Sequence, residues 1–268
     1  MNFKYFPEFF NDKSKLYKTF IIIACFLVYK YSKYVYGYLV FGKESWNNLP
    51  DYISSSIMLL TGITLAFLAN YWINKRISLK DFGIAPDGFF KGLVAAIIFC
   101  LPMFLCLGIA YHFNFQPALE IIYRGIILAG FGEEFIFRAF LFGLLFFFAG
   151  WGFLSAGIFT GLFFGGGHLY QAEDLGSAVS IFLFTAGASV GFAWFYYAWK
   201  SLWMVVFLHG FMDVIWDSFQ VETNVTGNLW VNIARFSTLI FAIIYSIHIA
   251  KENKRYDLKN KLWINKSI

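Results

Sequence analysis

Charge is scarce in this chain: 14% of its residues are Asp, Glu, Lys or Arg, against 59% hydrophobic and 23% aromatic, with a mean hydropathy of +0.63. A soluble domain cannot hide that much apolar surface, so a water-soluble globular protein is excluded. Cysteine is scarce too. Cys25, Cys100 and Cys106 lie in apolar stretches without close paired spacing, which excludes a disulfide framework and reads as reduced thiols packed as small hydrophobes. The apolar runs do not alternate in pieces of about ten residues, which excludes a membrane β-barrel. No interleaving of basic and aromatic residues marks a nucleic-acid surface, and no nucleic-acid partner is expected despite a net charge of +5. No internal repeat or composition break is present, so residues 1–268 read as one integral membrane domain.

What the chain does have is long hydrophobic runs. Measured against the roughly 20 apolar residues that cross a bilayer, they give about eight predicted transmembrane helices, near 17–40, 52–73, 88–112, 118–149, 151–170, 176–198, 202–219 and 229–250. The expected fold is therefore an all-α polytopic membrane protein. Lys30 and Lys33 in the first run are expected to snorkel to the interface. The fourth run is longer than a bilayer core requires, and Gly130 and Gly132 are expected to bend or break it, with Glu120, Tyr123 and Arg124 left at the interface. The first run is too long and Tyr-rich for a signal peptide and is expected to be retained. The final Asn-Lys-Ser-Ile offers no cysteine for prenylation.

Basic residues gather at alternate ends of these runs. Lys4, Lys13, Lys15 and Lys18 precede the first, Lys75, Arg76, Lys80 and Lys91 bracket the second loop, Lys200 precedes the seventh, and a cluster from Lys251 to Lys266 follows the eighth. The other loops offer Lys43. By the positive-inside rule both termini are expected on the cytoplasmic side, with anionic lipid accounting for the basic excess.

An ionised residue at the centre of a membrane helix costs roughly 2.5 to 3.5 kcal/mol on insertion scales, so the ones present need a reason. Glu134 and Arg138 are four apart and can pair on one helix, which leaves Glu133, rotated about 100° away, free to face something else. Glu133 is thus the candidate base; the plainer reading is a buried ionic network that holds helices together. His168 ends Gly165-Gly166-Gly167, a stretch expected to let a neighbouring backbone approach closely, and its plainer role is an interhelical hydrogen bond. His209 and Asp213 share a face, with Asp217 one turn further, a spacing that lets a carboxylate set an imidazole tautomer or simply tie two helices. His112 and His248, near run ends and without evident partners, read as structural.

Glu-Glu-x-x-x-Arg at 133–138, Phe-x-x-x-His at 164–168 and His-x-x-x-Asp at 209–213, in that order on successive apolar runs, resemble the CAAX protease and bacteriocin-processing (Abi) family. The likeness spans Leu119 to Asp217, within a motif-bearing core of residues 118–219. It implies an intramembrane endopeptidase that needs no metal or other cofactor and acts on a lipophilic or lipidated peptide: a CAAX-type tail, leader, pheromone or bacteriocin precursor. By this resemblance Glu133 and His168 activate water, His209 and Asp213 face the oxyanion, and Glu134 and Arg138 support them. The chain departs from the eukaryotic members at Asp213, where they carry asparagine; an ionised aspartate cannot donate to an oxyanion, so Asp213 is expected to orient His209 instead. Placement in a bacterial cytoplasmic membrane is the corresponding expectation. The same residue types allow a zinc-dependent peptidase, although no His-Glu-x-x-His is present. Family membership also allows a non-catalytic scaffold or bacteriocin-immunity protein, and intramembrane acids allow proton coupling, though related transporter halves are lacking. Glu133 and His168 are expected in the half of the membrane away from the termini, with His209 deeper.

Overall fold

The computed structural model describes residues 6–221, 224–255, 258 and 261–268. Among the described residues there is no strand beyond one isolated bridge between Trp151 and Ile264. Eight long helices build the bundle: α1 Lys13–Val35, α2 Asp51–Asn74, α3 Pro86–Ala110, α4 Tyr123–Gly143, α5 Phe153–Gly167, α6 Leu175–Trp199, α7 Leu202–Ser218 and α8 Leu229–Glu252. Short polar side chains start several of them. Asp12 accepts from the backbone N–H of Ser14 and Lys15, Ser201 from Trp203, and Asn228 from Val231, while Asp174 and Ser177 bond reciprocally as a capping box. Proline interrupts α3 at Pro102, and the next amide, Met103 N–H, donates to Thr238 Oγ1 of α8 at 3.1 Å. A helix–helix hydrogen bond thus satisfies backbone beside the break.

The chain is an integral membrane protein: α2, α3 with the turn before it, α6 and α8 are each long and apolar enough to cross a bilayer. At 1.5 Å per residue, the 15 residues of α5 and the 17 of α7 span only about 22 and 26 Å, short of the roughly 30 Å hydrocarbon core.

The expected break at Gly130 and Gly132 is not found. Instead α4 runs unbroken, with the wider i→i+5 pitch along its whole length, and short α-helical segments, Leu119–Ile122 and Leu144–Phe148, extend it at both ends. The glycines serve close approach: a Cβ on Gly130 would stand 2.7 Å from Val206 O of α7, and one on Gly125 would stand 2.7 Å from a Val214 methyl. Packed this tightly, α4 and α7 form the spine that carries Glu133, Glu134, Arg138, His209 and Asp213. Of the glycine triplet, only Gly165 meets a neighbour, its Cβ position lying 2.9 Å from Phe182 O of α6; Gly166 and Gly167 face open space.

The two ends of the bundle differ. At the end holding Lys15, Lys80, Lys200 and Lys254, the carboxy-terminal segment folds back over α5, whose first amides donate to it: Gly152 N–H to Trp263 O, Phe153 N–H to Lys261 O and Leu154 N–H to Leu262 O, at 2.7–3.0 Å. Above this contact lies a buried aromatic layer of Phe140, Phe142, Phe146, Phe153, Tyr196 and Tyr197. Lys4 and Lys259 of the basic set lie outside the described residues. The opposite end is open. The three cysteines are free thiols, two of them buried, as read from the sequence.

Candidate active site

A cavity of about 830 Å³ enters the bundle from that open end, bounded by parts of α1, α2, α4, α5, α6, α7 and α8. Its size is in the range of small-molecule and peptide sites. Glu133, Arg138, His168, His209, Asp213 and Asp217 all contribute to its wall, so groups up to 84 positions apart in sequence converge on one space.

At its deepest level α4 supplies Glu134, fully buried, and Arg138, 1% exposed. Their ion pair, expected from the four-residue spacing, is made: Arg138 Nε lies 3.1 Å from Glu134 Oε2, in contact but not aligned for a hydrogen bond. The guanidinium is also held between rings, 4.5 Å from the centroid of Phe164 and 5.4 Å from that of Phe192. The other oxygen of Glu134 carries a contact that sequence reasoning missed. His209 Nδ1 stands 2.6 Å from Glu134 Oε1, and since a carboxylate only accepts, the ring N–H donates. Asp213 is the more distant neighbour, with Oδ2 at 3.6 Å from His209 Nε2. The imidazole thus has a carboxylate on each side, Glu134 from another helix at hydrogen-bond distance and Asp213 from its own helix farther off. Glu134 bridges Arg138 and His209, which locks α4 to α7 at the floor of the cavity.

His168 sits where α5 ends. Its Nδ1 lies 2.9 Å from Phe164 O, a carbonyl that can only accept, so Nδ1 carries the proton and Nε2 presents a lone pair. The ring rests 4.6 Å from that of Phe164, which is also the platform for Arg138. Glu133 differs from Glu134 and Asp213: half-buried on the cavity wall, it makes no hydrogen bond or ion pair with any described residue. Its charge is nonetheless close enough to act on Arg138, His209 and Asp213. A carboxylate without a hydrogen bond and an imidazole nitrogen on the wall of one cavity, in a space large enough for a peptide segment, are groups able to activate water.

Three further groups reach the cavity that sequence reasoning placed elsewhere or passed over. Lys30 and Lys33 of α1, expected to snorkel, line its mouth, with Lys30 Nζ 5.9 Å from the centroid of Phe163. Arg235 of α8, 4% exposed, lies under the rim, stacked 4.1 Å from the Phe184 centroid and donating to Val225 O and Thr226 O at 2.5 Å. Val225 N–H in turn donates to Gln171 Oε1 at 3.0 Å, so Arg235 ties the segment after α7 to the turn that follows His168. The single charged residue in an apolar run was its sequence signal. His248, read as unpartnered, stands 3.2 Å from Glu252 Oε1. Among the described residues no three His, Cys, Asp or Glu side chains converge as a metal site requires.

No curated protein and no solved structure matches the chain. Residues 114–215, which contain Glu133, Glu134, Arg138, His168, His209 and Asp213, match the family model described as type II CAAX prenyl endopeptidase Rce1-like. The segment that brings these six side chains together is thus similar to the Rce1-like CAAX endopeptidases, a family of peptide-bond hydrolases.

Proposed function

We propose that the protein is an intramembrane endopeptidase in which Glu133 is the general base, acting on a water held between its carboxylate and His168 Nε2. The observation that carries this reading is the unpartnered Glu133 on the wall of a cavity it shares with His168. Glu133 takes a proton from the water, and the resulting hydroxide oxygen bonds to the peptide carbonyl carbon as the C=O electron pair moves to oxygen. His209 faces that oxyanion. With a carboxylate against each ring nitrogen, it donates on both sides, Nδ1–H to Glu134 and Nε2–H towards Asp213 or, in the transition state, the oxyanion. The tetrahedral species then collapses, the C–N bond breaks, and the amine leaves with the proton Glu133 had taken. Glu134 and Arg138 are positioning residues: they hold His209 and touch no substrate. Burial of this machinery in a cavity within the bundle strengthens each of these contacts.

The substrate in this reading is a lipophilic or membrane-associated peptide, lipidated or not. All eight helices are taken to cross the bilayer, the shorter ones aided by their extensions, and the concentration of lysine at one end supports placing both termini on the cytoplasmic side. The test is cleavage of lipidated and unlipidated peptides by purified protein in lipid discs, read by mass spectrometry for wild type and Glu133→Gln, with and without chelator. Cleavage by wild type that survives chelation and is lost in Glu133→Gln is the expected result. Loss on chelation moves the reaction to a metal, and no cleavage by wild type across the set moves the protein to a binding or immunity role.

A further inference from the structure

We propose that the hydrolytic cavity opens on the extracytoplasmic side of the membrane, so that the substrates are peptides that have been exported or that present a segment at the outer face. The inference rests on the hydrolase reading for the chemistry, but not for the sidedness.

Two independent observations meet here. The first is where the cavity lies along the bundle. Its rim is formed by Ser54 near the start of α2, Arg124 near the start of α4, Gln171 after α5 and Asn224 after α7. All belong to one end, tied together by hydrogen bonds from Gln116 N–H to Ser218 O, between Tyr123 Oη and Ser56 Oγ, and from Val225 N–H to Gln171 Oε1. Towards the other end the cavity stops at Ile136, Phe137 and Phe192. Beyond these come Phe140, Phe142, Phe146 and Tyr196, each no more than 2% exposed, and then the carboxy-terminal segment bonded over α5. A peptide approaching from there would have to pass a close-packed aromatic layer.

The second observation is charge. The closed end gathers the segments before α1, between α2 and α3, between α6 and α7 and after α8, which hold most of the lysine and arginine of the chain. The connections at the open end carry Glu44, Asp51, Glu120, Glu173 and Asp174, all exposed, against two strong cations, Lys43, beside Glu44 in sequence, and Arg124, which is offset by Glu120 at 3.6 Å and Asp51 at 3.9 Å. Lysine and arginine in short loops near helix ends are retained on the cytoplasmic side, whereas acidic residues are nearly neutral in that choice. The closed end therefore faces the cytoplasm and the cavity faces away from it. Lys30 and Lys33 sit on the cavity wall inside the open end, where they meet the substrate rather than bias the orientation.

The inference names the substrate by its side of the membrane: a translocated peptide, or the outward tail of a membrane-anchored one. The reaction that supplies it is peptide export, and a modification made in the cytoplasm must precede that export.

The experiment is thiol labelling in intact cells with a membrane-impermeant maleimide, in a background with Cys25→Ala, Cys100→Ala and Cys106→Ala. Single cysteines are placed in the cavity by Ala188→Cys, on the open-end surface by Glu173→Cys and on the closed end by Lys80→Cys; none of these positions is in the catalytic machinery. Labelling of the first two in intact cells, and of Lys80→Cys only after lysis, is the expected pattern. Lys80→Cys labelled in intact cells, or Ala188→Cys labelled only after lysis, overturns the proposal. In sealed right-side-out vesicles, a membrane-impermeant fluorogenic peptide library should be cleaved from outside, and cleavage that appears only when the vesicles are opened also overturns it. If neither vesicle form cleaves, the hydrolase reading fails and the labelling alone still decides the sidedness.

Discussion

At the lysine-rich end, backbone meets backbone: tail carbonyls receive the first amides of α5, Asn265 N–H donates to Gly150 O at 2.9 Å, and Leu202 N–H donates to Gly83 O at 2.9 Å. At the open end, the corresponding work is done by side chains around a void, with Glu134 holding Arg138 and His209 while Glu133 and His168 Nε2 remain without partners. One end has satisfied its polar groups and closed; the other has left chosen groups unsatisfied and stayed open. Within a single helix the division is sharper still, because neighbouring residues take opposite parts. Glu134 is fully buried and bonded, and Glu133 is half-buried and free. The closed end is held by backbone bonds, and the open end fixes the neighbours of its unpaired groups, as Glu134 fixes Arg138 and His209.

This contrast sets four expectations, ordered by size. His168→Gln should lower kcat/KM by about 10²–10⁴-fold, the range for a positioned acid–base group, with little change in thermal midpoint because the ring's only hydrogen bond among the described residues is to Phe164 O. Equal losses of activity and stability would remove His168 from the chemistry. Arg138→Leu should cost about 3–5 kcal/mol of unfolding free energy, since it breaks a buried pair and leaves Glu134 short of a counter-charge; denaturation in mixed micelles measures it. Gly152→Ala at the closed end should cost about 1–3 kcal/mol by overpacking, as its Cβ would fall 2.1 Å from Trp263 C, while specific activity of the folded fraction is retained. The smallest effect belongs to Asp174. The backbone N–H of Ser177, helped by its hydroxyl and by the N–H of Gly176, holds this carboxyl below its ordinary value. Its contribution is thus fully present above the unfolded value of about 4 and is lost as pH falls through the lower folded one. Asp174→Asn keeps the cap and removes the titration, so the thermal midpoint should fall less steeply in acid than in wild type.

Much of this division could be read in the sequence. Apolar run lengths matched eight long helices among the described residues to within a few residues at most ends, four of them long and apolar enough to cross a bilayer, and the four-residue spacing of Glu134 and Arg138 correctly paired them. Periodicity reports which residues share a face of one helix, and it is silent about which faces meet. For that reason the bond from Glu134 to His209, 75 positions away, was out of reach, while the four-residue spacing did bring Asp213 to the other ring nitrogen, at 3.6 Å. Gly130 and Gly132 were read through their conformational freedom as a bend or break in α4, whereas at Gly130 small size is the property in use. Lys30 and Lys33 were assigned to the interface because a long cation can snorkel from most positions, and only the neighbouring helices reveal the cavity they line.

The most direct test of this division is to measure activity and thermal midpoint together for Glu133→Gln in purified, lipid-embedded protein. Because Glu133 makes no hydrogen bond or ion pair with any described residue, the account predicts that peptide cleavage is lost while the midpoint stays within about a degree or two of wild type, on the order expected of a substitution that breaks no such bond. Retained cleavage, or a midpoint that falls as far as in Arg138→Leu, would contradict it.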